Sequence, residues 1–321
     1  MCDGGAYALA SSWCRGSRIC SSAAVFCNSA GLVLFFMISG ALLLPTEIST
    51  GEFLKRRIGK IAGPWLFWTV FYMALNIPKE GFSLTNLGRC FVYVSSPGRH
   101  IMWFMFVLLG LYLITPILSK FVINATRKEV AFYLVVWGIT LVLPWASPYS
   151  TLYLGISSPL YYVSGYVGYY LLGYYLYTYR PKLRTAICFL FIIVPLVARI
   201  IYAFLDGQRS SDLFWYLSLP VVLMSIAWFS LIQRKCDSIS VGARMRKWLT
   251  LLSDCTFGIY LVHLFVMRHL LWRIGFIVNG CGWFGQVVFT WILTMAISFS
   301  IVYGLSFLPF SEYIIGYHHK S

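Results

Sequence analysis

Of the chain's 321 residues 60% are hydrophobic and only 11% charged, far from the roughly half-apolar, quarter-charged balance of soluble domains, which excludes a water-soluble fold. The net charge of +15 does not signal nucleic acid, because its placement follows the connections between apolar runs. Sixteen Lys and Arg lie in one alternating set of connections and six in the other, so the positive-inside rule puts the richer side in the cytoplasm, where it suits anionic lipid headgroups and anionic cytosolic ligands.

A membrane span needs about 20 apolar residues. Nine stretches qualify, roughly 23–44, 59–77, 101–119, 130–146, 159–178, 185–205, 213–232, 250–271 and 285–308. The predicted fold is therefore an all-α polytopic transmembrane helical bundle over 23–308, with no linker long enough for a soluble domain. An atypical segment, 1–22, precedes it and a cytoplasmic tail, 309–321, follows, expected to be disordered around His318, His319 and Lys320. In the first thirty residues Ser, Ala and Cys make up sixteen, and Arg15 and Arg18 break any apolar run. This is neither a signal peptide nor a span. With the connection around Arg57 inside, Arg15 and Arg18 would lie outside, which the charge rule disfavours; one further span ahead of residue 23 would repair the topology.

Residues 35–64 join two spans at a basic turn, where Lys55, Arg56, Arg57 and Lys60 crowd ahead of Pro64 and Trp65. At helical spacing, Arg56 or Arg57 shares a face with Lys60 and the pair suits a polyanion such as a phosphate ester. The competing reading is of ordinary charges that keep the connection inside. Residues 79–100 form an external loop ending in Pro97, Gly98, Arg99 and His100, followed by a span with Trp103 and Phe104 at interface depth. The stretch 161–179 holds nine tyrosines among Gly165, Gly168 and Gly173, which fits either helix packing and aromatic belts or a hydroxyl-rich wall for a sugar.

Arg199 is the one basic residue well inside a span and has Asp206 seven residues on, so a functional charge and a snorkelling or paired one both fit. His263 sits in the apolar run FGIYLVHLFV, as a structural donor or a catalyst. The nine cysteines include no Cys-x-x-Cys pair and no Cys/His cluster, so neither a metal site nor a disulfide framework is expected.

Five stretches, FFMISGALLL (35–44), FLKRRIGKI (53–61), WFMFVLLGLYLITPIL (103–118), YVSGYVGYYLLGYYL (162–176) and FGIYLVHLFV (257–266), resemble in order those of the acyltransferase 3 family of integral membrane O-acyltransferases, over residues 32 to 308. The resemblance implies a ten-span bundle in the bacterial cytoplasmic membrane, an acyl-CoA donor (usually acetyl-CoA), no permanently bound cofactor, and a hydroxyl acceptor on a cell-surface carbohydrate or glycolipid. The basic turn is similar to the family's Arg-x-x-Arg motif, here Arg57-Ile-Gly-Lys60, which implies donor binding by Arg57 and Lys60 with Lys55 and Arg56 in support; Lys60 keeps the charge but loses the bidentate fork. The family's first-span histidine, taken to be catalytic, has no counterpart before His100, so a truncated or frame-shifted start that leaves out the first span is expected; the enzyme class remains an acyltransferase, with an inactive chain as the alternative. His263 matches the family's Ile-Tyr-Leu-x-His pattern, and His100, separated from Trp103 by two residues, approximates its histidine ahead of Trp-Phe. Both are candidates to contact the acceptor or substitute as base.

The rival is a transporter or flippase for a glycolipid or polysaccharide. Secondary transporters commonly hold a carboxylate in mid-membrane, whereas all ten acidic residues here fall in loops, tails or span ends.

Overall fold

Backbone that crosses lipid must satisfy its own hydrogen bonds, and apolar runs of this length do so as helices. A computed structural model of the chain describes residues 30–80, 83–95, 102–146, 160, 163–205, 214–274 and 283–318. In chain order the helices are α1 (Ala30–Leu43), α2 (Thr50–Glu80), α3 (Leu84–Ser95), α4 (Trp103–Asn124), α5 (Arg127–Ala146), α6 (Val167–Tyr179), α7 (Thr185–Leu205), α8 (Leu219–Ser238), α9 (Ala243–Phe265), α10 (Trp283–Leu305) and α11 (Ser311–Ile315). α9 runs on through a π turn, Val266–Leu270, and a 3-10 turn, Leu271–Arg273. No strand occurs among the described residues.

Six of these helices are long and apolar enough to cross a membrane: Thr50–Leu75 within α2, α4, Thr185–Tyr202 within α7, α8, Ala243–Arg273 and Gly285–Leu305 within α10. The chain is a multi-pass, all-α membrane protein. The expected count of nine is not reached among the described residues: the stretches placed at 23–44, 130–146 and 159–178 are not among the six, and the first and last of them are described as helix only from Ala30 and Val167. Two boundaries also differ from the sequence reading. The loop expected at 79–100 contains α3, an amphipathic helix whose Ser83 hydroxyl accepts from the Asn86 N–H at 3.1 Å. Cys90 is buried in it and Leu87 and Tyr93 half-buried, at the spacing of one helical face. The basic turn is no turn either, for α2 begins at Thr50 and carries Lys55, Arg56, Arg57 and Lys60 on its opening turns.

The chain divides into two compact units. One comprises residues up to 47 with 114–239, the other 48–113 with 240–321.

In the first unit α7 packs along α8, and α6 against α5 and α8. α1 and α6 meet backbone to backbone. A Cβ on Gly40 would stand 1.9 Å from the carbonyl oxygen of Tyr170, and one on Gly173 1.9 Å from that of Met37, so each crossing requires a residue without a side chain. The tyrosines of α6 serve this packing. Tyr169 and Tyr170 are fully buried; the Tyr169 hydroxyl donates to the Tyr216 carbonyl at 2.6 Å, and that of Tyr170 pairs with Thr115 at 2.9 Å. Arg199 is buried with its guanidinium 5.4 Å over the ring of Phe214, a cation–π contact; its expected partner Asp206 lies outside the described residues. Thr126 and Glu129 open α5 as a capping box, the Thr126 N–H donating to the carboxylate at 2.6 Å and the Glu129 N–H to the Thr126 hydroxyl at 3.3 Å.

In the second unit α2 packs against α3 and α11, and α9 against α10 and α11. Contrary to the expected disorder, residues 311–318 are built into the fold. The Trp68 indole donates to the Ile314 carbonyl at 2.8 Å, Ser311 and Ile315 are fully buried, and the Ser311 hydroxyl pairs with His318 Nδ1 at 2.9 Å. An apolar Ile at the spacing of one turn from Ser311, followed by Gly316 in the left-handed conformation at φ 72°, makes a helix end that docks.

Candidate active site

The 31 residues of α2 extend about 46 Å, against about 30 Å of hydrocarbon, so its first turns stand clear of the apolar core. Ser49 starts the helix, its oxygen accepting from the Glu52 N–H at 3.4 Å. Lys55, Arg56, Arg57 and Lys60 are all exposed. The structure separates them: Arg56 pairs with Glu52 one turn back, whereas Arg57 and Lys60 have no carboxylate partner among the described residues. On the same helix, Phe53 is buried and packs edge-on against the ring of buried Tyr112 with centroids 6.3 Å apart. Pro64, four residues beyond Lys60, has no N–H, so the Lys60 carbonyl lacks its helical donor.

Twelve residues beyond Lys60 along the same helix, about 18 Å at helical rise, Tyr72 is buried and donates its hydroxyl to the Leu261 carbonyl at 2.6 Å. This bond ties α2 to the part of α9 that carries His263. His263 is half-buried, and its Nδ1 lies 2.6 Å from the Tyr260 carbonyl. A carbonyl only accepts, so in the neutral ring the proton sits on Nδ1 and Nε2 keeps its lone pair. The π turn starts three residues later, a distortion frequent at functional sites. Tyr260 packs against Phe104 with centroids 5.1 Å apart, bringing the Trp-Phe stretch at 103–104 to the histidine stretch. Trp103 and Phe104 are buried. His100 lies outside the described residues.

The structure adds polar groups that sequence reading missed. On α2 the Trp65 indole nitrogen and Thr69 hydroxyl, and on α10 the hydroxyls of Thr290, Thr294 and Ser298, are buried with no hydrogen-bond partner among the described residues. The three on α10 recur every fourth residue and share a face, on a helix that packs against α9 and the π turn. Buried hydroxyls with no partner among the described residues are groups that a polar ligand or water could satisfy. The only hint in the sequence is the spacing of Ser and Thr in apolar helices, which is common wherever helices pack.

Residues 10–307 match a family model described as an acyltransferase domain, a span that starts ahead of residue 32, where the motif resemblance begins. No curated protein and no solved structure matches the chain.

Proposed function

From membership in the acyltransferase 3 family, to which the chain belongs, we propose a membrane-bound O-acyltransferase that moves an acyl group, in the simplest case acetyl, from acyl-CoA to a hydroxyl of a cell-surface carbohydrate or glycolipid in the bacterial cytoplasmic membrane. One observation carries the reading. A single helix bears Arg57 and Lys60 at its exposed end and, about 18 Å further on, Tyr72 bonded to the helix segment of His263. That interval is comparable with an extended pantetheine arm. Phosphates held by Arg57 and Lys60 would set the thioester at the depth of His263.

The chemistry then follows from His263. Its Nε2 takes the proton of the acceptor hydroxyl as the oxygen attacks the thioester carbonyl. The indole N–H of Trp65 and the hydroxyl of Thr69 supply donors for the developing oxyanion. The carbon–sulfur bond breaks, the ester forms, and His263 returns the proton to the departing CoA thiolate. Atoms and charge balance with no cofactor. Lys55 and Arg56 add positive potential beside the phosphates.

Donor binding and turnover, measured on the membrane-embedded chain with labelled acetyl-CoA, test the reading. Replacing Arg57 and Lys60 by Ala removes two charge-assisted contacts, and donor binding weakens at least about a hundredfold. His263→Gln leaves donor binding intact and stops transfer. Unchanged donor affinity in the double variant would remove the donor assignment, and unchanged turnover in His263→Gln would remove the base.

A further inference from the structure

We propose that a cavity at the charged end of the second unit receives the nucleotide end of the acyl donor, with Arg246 and Lys247 reading its 3′-phosphate; this rests on the donor reading above. The cavity holds about 700 Å³, inside the range of roughly 300–1,000 Å³ usual for small-molecule sites. One wall is a face of α9, where Arg246, Lys247, Thr250, Leu251 and Asp254 recur at three- and four-residue steps, and Tyr317, just after α11, also lines it.

The lining matches a nucleotide by parts. A phosphomonoester carries up to two negative charges and calls for a guanidinium fork and an ammonium, which Arg246 and Lys247 provide. A planar base calls for an aromatic face, which Tyr317 provides, with Leu251 as apolar backing. Asp254 repels phosphate but accepts from an exocyclic amine, so it orients the ligand with base toward Asp254 and phosphate toward the cations. Burial, and after it the Asp254 charge, pushes the Tyr317 hydroxyl above its ordinary range, keeping it neutral.

Tyr317 is also the link to the donor site. The preceding residue, Gly316, takes φ 72° and closes α11 with its N–H on the Glu312 carbonyl at 3.1 Å. It lies against Phe257 and the Lys60 carbonyl; a Cβ there would stand 2.7 Å from the Phe257 ring and 3.7 Å from that oxygen. The cavity wall is thus one residue from the turn that carries Lys60. A ligand with its base and 3′-phosphate in the cavity has its diphosphate beside Lys60 and its pantetheine arm directed along α2.

The experiment compares the affinities of CoA and 3′-dephospho-CoA for the full chain in discs of zwitterionic lipid. The expected preference of the wild type for the 3′-phosphate is about tenfold, in keeping with two partly exposed ion pairs. Replacing Arg246 and Lys247 by Gln should reduce that preference below about twofold while the affinity for 3′-dephospho-CoA holds. Tyr317→Leu should weaken both ligands alike and Tyr317→Phe neither. A preserved preference in the Gln variant, with donor binding still dependent on Arg57 and Lys60, overturns the cavity and leaves the donor site standing. Equal loss of both ligands in the Gln variant overturns it as well, since the cations would then act only through the general field. Anionic vesicles that displace CoA from the wild type but not from the Gln variant would reassign the cavity to a lipid headgroup. No binding of either ligand by the wild type would sink both readings.

Discussion

The hydroxyl of Tyr72 donates to the carbonyl of Leu261 at 2.6 Å, two residues before His263. A phenol from α2 thereby fixes the rotation of α9 just ahead of its π turn, and with it the direction in which the His263 ring leaves the helix. Interhelical hydrogen bonds in membranes are modest, about 0.6 kcal/mol on average and up to about 1.7, so the bond serves geometry more than stability. Tyr72→Phe should therefore lower the thermal midpoint slightly, slow transfer tenfold or so, as misplaced catalytic groups do, and leave donor affinity alone. Melting curves and single-turnover rates decide; equal rates for Tyr72→Phe and wild type would show that the bond does not position the base.

The four cations at the start of α2 should separate on mutation. Arg56 already pairs with Glu52, whereas Arg57 and Lys60, three residues apart, share a face without a carboxylate partner among the described residues. Arg56→Gln should weaken donor binding less than about threefold, and Arg57→Gln at least about tenfold. Lys60→Arg should hold or tighten it, since the guanidinium restores the fork that phosphate favours. Equal losses at Arg56 and Arg57 in a titration with labelled acetyl-CoA would mean that the cluster acts as diffuse charge.

The helical character was legible because lipid leaves the backbone few choices, whereas the Thr126–Glu129 capping box that starts α5 three residues ahead of the expected span was not read from the sequence. The basic helix face was legible from the spacing of Arg57 and Lys60, but its continuation into α2 was not. A polar connection followed by Pro64 reads as a break, yet proline is tolerated in membrane helices where neighbours re-satisfy the freed carbonyl. The docking of residues 311–318 was hidden because one buried Ile315 and one Trp68 indole bond leave no periodic signal in so short a segment. The Tyr72–Leu261 bond was invisible for another reason: its acceptor is backbone and its partners lie 189 residues apart.

The two glycine contacts between α1 and α6 carry a stability prediction. At Gly40 and Gly173 alike, a methyl group would sit 1.9 Å from a partner carbonyl oxygen, and backbone cannot yield as a flexible side chain does. Gly40→Ala and Gly173→Ala should each destabilise the protein by about 1–3 kcal/mol or more. The double variant should cost less than the sum, since the first methyl already forces the helices apart. Thermal unfolding in detergent reads this directly. Gly138, with nothing within 4 Å of a Cβ, is the control, and Gly138→Ala should be neutral or slightly stabilising. Full additivity at Gly40 and Gly173 would mean that the two crossings relax separately.

The capping box of α5 should make its first turn sensitive to acid. The Thr126 N–H and hydroxyl both donate to the Glu129 carboxylate, at 2.6 and 2.7 Å, and these bonds hold the carboxyl below its ordinary range. A group whose folded pKa is depressed stabilises the folded state above the unfolded value, about 4.3 for Glu, and that contribution disappears as pH falls through the folded pKa. Because Glu129 is fully exposed, the effect is local to the helix start. At neutral pH the amides of Thr126 to Glu129 should exchange more slowly, relative to their intrinsic rates, in the wild type than in Glu129→Gln. The two should converge as acidification passes the unfolded value of about 4.3 and then the depressed folded one. Hydrogen exchange read by mass spectrometry across that range checks the sign, and a difference that persists undiminished in acid would show that the charged form of the carboxylate is not what closes the box.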